Sequence, residues 1–236
     1  GDIPMTNPMR RLLLTACPVL LWVITAFQLT MVICLFRRYG RTKNMLYLLS
    51  GLVCVGLFYD SLILSLGTVL SEGAFLKGIS QLRYISHGGL IPLLLPICAY
   101  ALSMNKPGKT AVWIVTGILI VLGIASGAVT KTAAENVAVI RYASDTVLTP
   151  GWANTISTSV LAYGMVIPLV IAGIIVWIKQ KTPALFLSGF LMFAFSALGP
   201  ATGNFDLIFF ISMFGEVCMV VFFLVYADFN QKHKPQ

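Results

Sequence analysis

Charge is scarce in this chain. Charged residues make up 10% of its 236 positions, against about 25% in an ordinary soluble protein. Apolar residues reach 58%, against about 45–50%. So few charges cannot cover a water-facing surface, so most of the surface must face lipid. Histidine is nearly absent too: His87 and His233 are the only two, which excludes a multi-histidine metal site. The five cysteines (Cys17, Cys34, Cys54, Cys98 and Cys218) form no CxxC pair and lie inside apolar runs. They read as small packing residues rather than a disulfide framework or zinc ligands.

The sixteen basic residues outnumber the eight acidic ones, giving a net charge of +8. They stand in short clusters at the ends of apolar runs, as topology signals do, so nucleic acid is not an expected partner. The lipid bilayer is. Apolar runs at 12–36, 46–70, 82–104, 110–130, 157–178, 183–200 and 205–226 predict seven membrane-spanning helices. Leu14-Thr15-Ala16-Cys17 has the look of a lipoprotein cleavage box, but the long apolar stretch follows the cysteine, so the segment reads as a retained first helix.

Three loops and the C-terminal tail carry the uncompensated cations: Arg37 to Lys43, Lys106 with Lys109, Lys179 with Lys181, and Lys232 with Lys234. By the positive-inside rule these parts are cytoplasmic and the N-terminus is outside, against the weaker opposing signal of Arg10 and Arg11. The expected organisation is a tail at 1–11, a bundle at 12–226 and a cytoplasmic tail at 227–236. Gly1-Asp2-Ile3-Pro4 ahead of Met5 reads as an expression remnant. The one sizeable loop, 131–156, is placed outside. There 137–143 and 147–149 make either a hairpin turning at Ser144-Asp145-Thr146 or an irregular loop.

Ionisable groups within spans cost several kcal/mol unless paired or wetted, so they are the first site candidates. They are Asp60, Arg83, His87 and Glu216. Arg83 and His87, four residues apart, share a helix face. Arg83 cannot shed its proton and should point into the bundle, toward Asp60 or Asp206, with Glu216 on the opposite wall. The plainer reading is that these groups only hold helices together. Gly88-Gly89, Pro92, Pro96, Pro168 and Pro200 serve close packing or kinks, and leave cavities as well.

Arg83-Tyr84, followed after seven residues by Pro92-Leu93-Leu94-Leu95, resembles the third helix of the microbial rhodopsins at the same spacing. Lesser echoes are Phe58 to Leu62 with Leu66-Gly67, Gly127-Ala128-Val129-Thr130, and Phe195-Ser196-Ala197-Leu198-Gly199-Pro200. The resemblance implies a seven-helix bundle with the N-terminus outside, in a bacterial or archaeal cell membrane. It also exposes departures. Met219 falls where the family's retinal-binding lysine stands, and Gly215 at the aspartate before it. Ser86, Leu90 and Ile97 occupy the proton-transfer positions, while His87 and Phe195 replace the tryptophans that sandwich retinal. None of the nine lysines lies deep in a span, so a covalent chromophore is not expected.

The resemblance retains a cavity between the third, fifth, sixth and seventh helices, approached by Ser86, His87, Phe195, Glu216 and Met219. Two readings of function follow. One is a non-covalent small-molecule binding or sensory protein, with a lipophilic ligand in that cavity. The other is a proton-coupled or small-solute transporter or channel using Asp60, Arg83, His87 and Glu216. No repeat relates the two halves, which speaks against the second. An intramembrane enzyme is disfavoured because no nucleophile–base set is evident. A second copy of the chain is a further candidate partner.

Overall fold

A computed structural model describes residues 8–234. The expression-remnant reading of residues 1–4 lies outside the described residues. Among the described residues seven helices are long and apolar enough to cross a membrane: α1 (Pro8–Thr42), α2 (Met45–Leu66), α3 (Ala74–Ala101), α4 (Lys106–Val129), α5 (Gly151–Gln180), α6 (Ala184–Ala201) and α7 (Phe205–Lys232). The chain is an all-α membrane bundle, a multi-pass integral membrane protein. Consecutive helices pack side by side, and α7 returns against α1 and α2. The core of Leu46, Leu49, Val53, Ile97, Leu169 and Phe223 is shared by α2, α3, α5 and α7. Residues such as Ile114, Val121, Ile171 and Ile178 are left exposed for lipid.

Local chemistry sets the helix ends. Asn44 caps α2 by accepting from the Leu46 amide at 3.2 Å, and Asn105 caps α4 through the Gly108 amide at 2.9 Å. Lys181 ends α5 in the left-handed region at φ 60°. Inside α3, Pro92 removes a donor, and the chain tightens to a 3-10 turn over Ile91–Leu93 before the helix resumes. In α5 the turns widen to π type over Ile156–Tyr163, where the Gly164 amide bonds to Ser159 O, five residues back. Pro168, four residues on, gives Gly164 no donor.

α1 and α7 extend past their apolar runs. Arg37 to Thr42 and Ala227 to Lys232 stay helical, and α1 begins at Pro8. Tertiary bonds support both extensions. Arg38 Nη1 donates to Asp228 at 2.7 Å, and Asn44 Nδ2 donates to Asn230 at 3.1 Å and Gln231 at 3.0 Å.

The 131–156 loop holds a two-stranded antiparallel hairpin, β1 (Thr132–Val137) and β2 (Val139–Ser144). It turns at Ala138, with φ 67°, and not at Ser144-Asp145-Thr146. Asp145 instead accepts from the Val147 and Leu148 amides, closing a separate turn. Glu135 and Arg141 face each other across the strands and pair at 2.9 Å. Ile140 donates to Gly67 O at 3.1 Å, and the Tyr142 hydroxyl accepts from the Gly73 amide at 3.0 Å. The hairpin thereby seals the α2–α3 connection at one end of the bundle.

Two glycines fix the α3–α4 crossing. A methyl group on Gly88 would overlap the Gly123 carbonyl, and one on Gly123 would overlap that of Gly88. Gly127 likewise lies against the Tyr84 carbonyl, so these backbones touch directly, as small residues allow between membrane helices. Gly88 therefore serves packing. Gly89 does too, facing Ile124.

Candidate functional site

Asp60 stands one and a half turns before the end of α2, and Arg83 two and a half turns into α3. The packing of α3 on α2 brings them together, and Arg83 Nε meets Asp60 Oδ1 in an ion pair with side chains only 14% and 8% exposed. Arg83 also lies 5.1 Å from the Tyr84 ring centroid. His87 is one turn deeper on the same face. From α7, at mid-helix, the buried Glu216 shares a cavity lining with His87. Its Oε2 is buried with no hydrogen-bond partner among the described residues. The four expected ionisable residues thus form one cluster.

Two spaces adjoin this cluster. A polar pocket of about 210 Å³ is bounded by Asp60, Arg83, Tyr84, Ser126 and Ser157. A larger cavity of about 790 Å³ lies between α3, α5, α6 and α7. His87, Ser157 and Leu161 line both, so they form the partition. His87 and Glu216 make the polar end of the large cavity, while Leu57, Ile91, Leu94, Val166, Met192 and Met219 give it apolar walls. Tyr163 of α5 and Phe193 of α6 also line it, and both are open to the outside at 60% and 49% exposure. The lining of the cavity therefore reaches the outer surface of the bundle between α5 and α6. All nine lysines lie among the described residues, and none lines it.

The remaining expectations divide. Met219 lines the cavity, one turn from Glu216 on the same face of α7. Ser86 does not: its hydroxyl turns back along α3 and donates to Arg83 O at 3.0 Å. Phe195 does not either, since its side chain is spent on packing against Gly215, with its ring 6.2 Å from that of Phe214. Asp206 is no acceptor for Arg83. It pairs with Arg10, which also donates to Asn204 at 2.9 Å, tying the start of α1 to the α6–α7 connection.

The structure adds residues that charge counting passes over. Gln28 is fully buried in α1 with no partner for Nε2 among the described residues, and Cys54 Sγ donates to its Oε1 at 3.4 Å. Ser157, Thr158 and Tyr163 reach the cavity from the widened turns of α5, and nothing in the local sequence signals that widening except the proline downstream. Comparisons with protein-family models and with curated proteins returned no match to this chain.

Proposed function

We propose that the chain is a microbial-rhodopsin-like membrane protein without covalent retinal, which binds a small lipophilic molecule non-covalently as a binding or sensory protein. One observation carries this reading: a cavity of about 790 Å³ with apolar walls, a polar end at His87 and Glu216, and a lining that reaches the outer surface of the bundle. Its volume falls within the range of about 300–1,000 Å³ common for small-molecule sites. A mouth between α5 and α6 admits molecules dissolved in the bilayer. The polar end suits a ligand with one hydrogen-bonding head on an apolar body. The order of packing, the Arg83-Tyr84 and Pro92 spacing on α3, and Met219 in the cavity support the family resemblance. The crowding of cations at the end formed by the α1–α2, α3–α4 and α5–α6 connections supports a cytoplasmic C-terminus. The bacterial or archaeal membrane rests on the resemblance alone.

The test is native mass spectrometry of the chain released gently from its membrane, followed by addition of all-trans retinol as a probe. A bound small molecule, lost in Ala197→Trp because the indole fills the cavity, is the expected result. An empty cavity that takes up no probe would overturn the reading.

A second reading has its own observation. Asp60, Arg83 and His87 border one pocket, His87 and Glu216 border the adjoining cavity, and Glu216 Oε2 has no hydrogen-bond partner among the described residues. Such a series serves a proton relay, in a proton-coupled or small-solute transporter. Proton flux into proteoliposomes, abolished by Glu216→Gln, would favour it.

A further inference from the structure

At the bundle end opposite the hairpin, α1 carries a continuous stripe of residues at helical spacing: Thr30, Ile33, Cys34, Arg37, Arg38 and Arg41. With Tyr47 of α2 and Asp228 and Lys232 of α7 they border a groove of about 750 Å³. Four cations and one carboxylate face it, and Asp228 is occupied. Its Oδ1 accepts from Arg38 Nη1 and from the Tyr47 hydroxyl. Arg37, Arg41 and Lys232 are left with no carboxylate partner among the described residues.

The depth of this groove is fixed by α1 itself. Arg37 is twenty-seven residues beyond Arg10 on one helix, about 40 Å at 1.5 Å per residue. A bilayer with its headgroup regions is about 40–45 Å thick, so with Arg10 at the headgroup level of one leaflet, Arg37 and Arg41 reach that of the other. Below them the groove floor turns apolar. Ile33, and Leu29 one turn further, are exposed toward the acyl region. Cations above an open apolar track match an amphiphile with a negative head, and free inorganic phosphate would leave the track unused.

We propose that this groove is a binding site for an anionic glycerophospholipid. Its phosphodiester lies between Arg37 and Arg41, and one acyl chain runs down α1 past Ile33. Basic pockets between membrane helices are suited to such headgroups. The carboxylate-bound Arg38 lines the wall and holds α7 in place, while Arg37 and Arg41 supply the charge. The site is distinct from the cavity between α3, α5, α6 and α7 and stands whether or not that cavity holds a ligand.

The experiment uses the whole chain in phosphatidylcholine nanodiscs carrying a minor fraction of phosphatidylglycerol, with retained lipids counted by native mass spectrometry. One phosphatidylglycerol should remain per chain, enriched about tenfold over its share of the bilayer. Arg37→Gln with Arg41→Gln should abolish the enrichment. Lys179→Gln with Lys181→Gln removes the same charge from the same end and should leave it intact. Ile33→Trp keeps both arginines and fills the track, and should lower retention several-fold. All these side chains are exposed, so circular dichroism should show an unchanged fold. Equal loss in the two double variants would overturn the site in favour of diffuse attraction. Undiminished retention after Ile33→Trp, or displacement of the lipid by millimolar inorganic phosphate, would overturn the lipid in favour of a bare phosphate site.

Discussion

Arg83 of α3 and Asp60 of α2 meet as an ion pair inside the bundle, while Arg10 and Asp206 pair at its rim with side chains 23% and 40% exposed. Removing one partner of a buried pair leaves a stranded charge, at about 3–5 kcal/mol, whereas exposed pairs are worth about 0–1 kcal/mol. Arg83→Ala should therefore destabilise the protein by several kcal/mol, and Arg83→Ala with Asp60→Asn by clearly less. Arg10→Ala and Asp206→Asn should each cost little and nearly add. Unfolding in detergent measures both cycles, and additivity at Arg83–Asp60 would remove the coupling on which the cluster rests.

Wild-type protein mixed with all-trans retinal should develop no red-shifted band that hydroxylamine bleaches, because no lysine lines the cavity. Met219→Lys puts an amine there and should produce such a band. Absorption spectroscopy decides both. A bleachable band in the wild type would point to an unexpected amine, and its absence in Met219→Lys would weaken the family alignment.

The α3–α4 crossing has no room for a methyl group. Gly88→Ala and Gly123→Ala should each cost at least about 1–3 kcal/mol, the usual range for overpacking. Gly117 of the same helix has open space around it, so Gly117→Ala should be neutral or slightly favourable. Thermal unfolding of the three variants gives the comparison. Equal tolerance would mean the helices separate without loss.

The seven spans were legible because a window of about twenty apolar residues is a strong signal, whereas the helical extensions beyond those windows were not. Arg37 to Thr42 and Asp228 to Lys232 look like loop and tail by composition, yet Arg38, Asp228, Asn44 and Asn230 bond across helices and extend them. The hairpin turn was mislocated because Ser144-Asp145-Thr146 has turn chemistry and Ala138 has none, though Ala138 carries the positive φ. Asp60, Arg83, His87 and Glu216 were legible as rare charges in apolar surroundings. Gln28 was not, since one uncharged amide hardly alters a hydropathy window. Ser86 and Phe195 were assigned by alignment to positions whose side chains turn elsewhere. Sequence alone cannot pass the widened turns of α5 along to the faces that follow them.

The meeting of Gly88 and Gly123 has a mechanical consequence. Two backbones in direct contact cannot slide or roll without a carbonyl striking the neighbouring chain, so α3 and α4 act as a fixed post. Arg83 and His87 stand on that post. The other side of the cavity is built differently: α5 carries loosened turns above Pro168, and α6 meets it there across a gap bordered by Tyr163 and Phe193. The cavity thus lies between a wall whose backbones are locked together and one whose turns are wider than those of an α-helix.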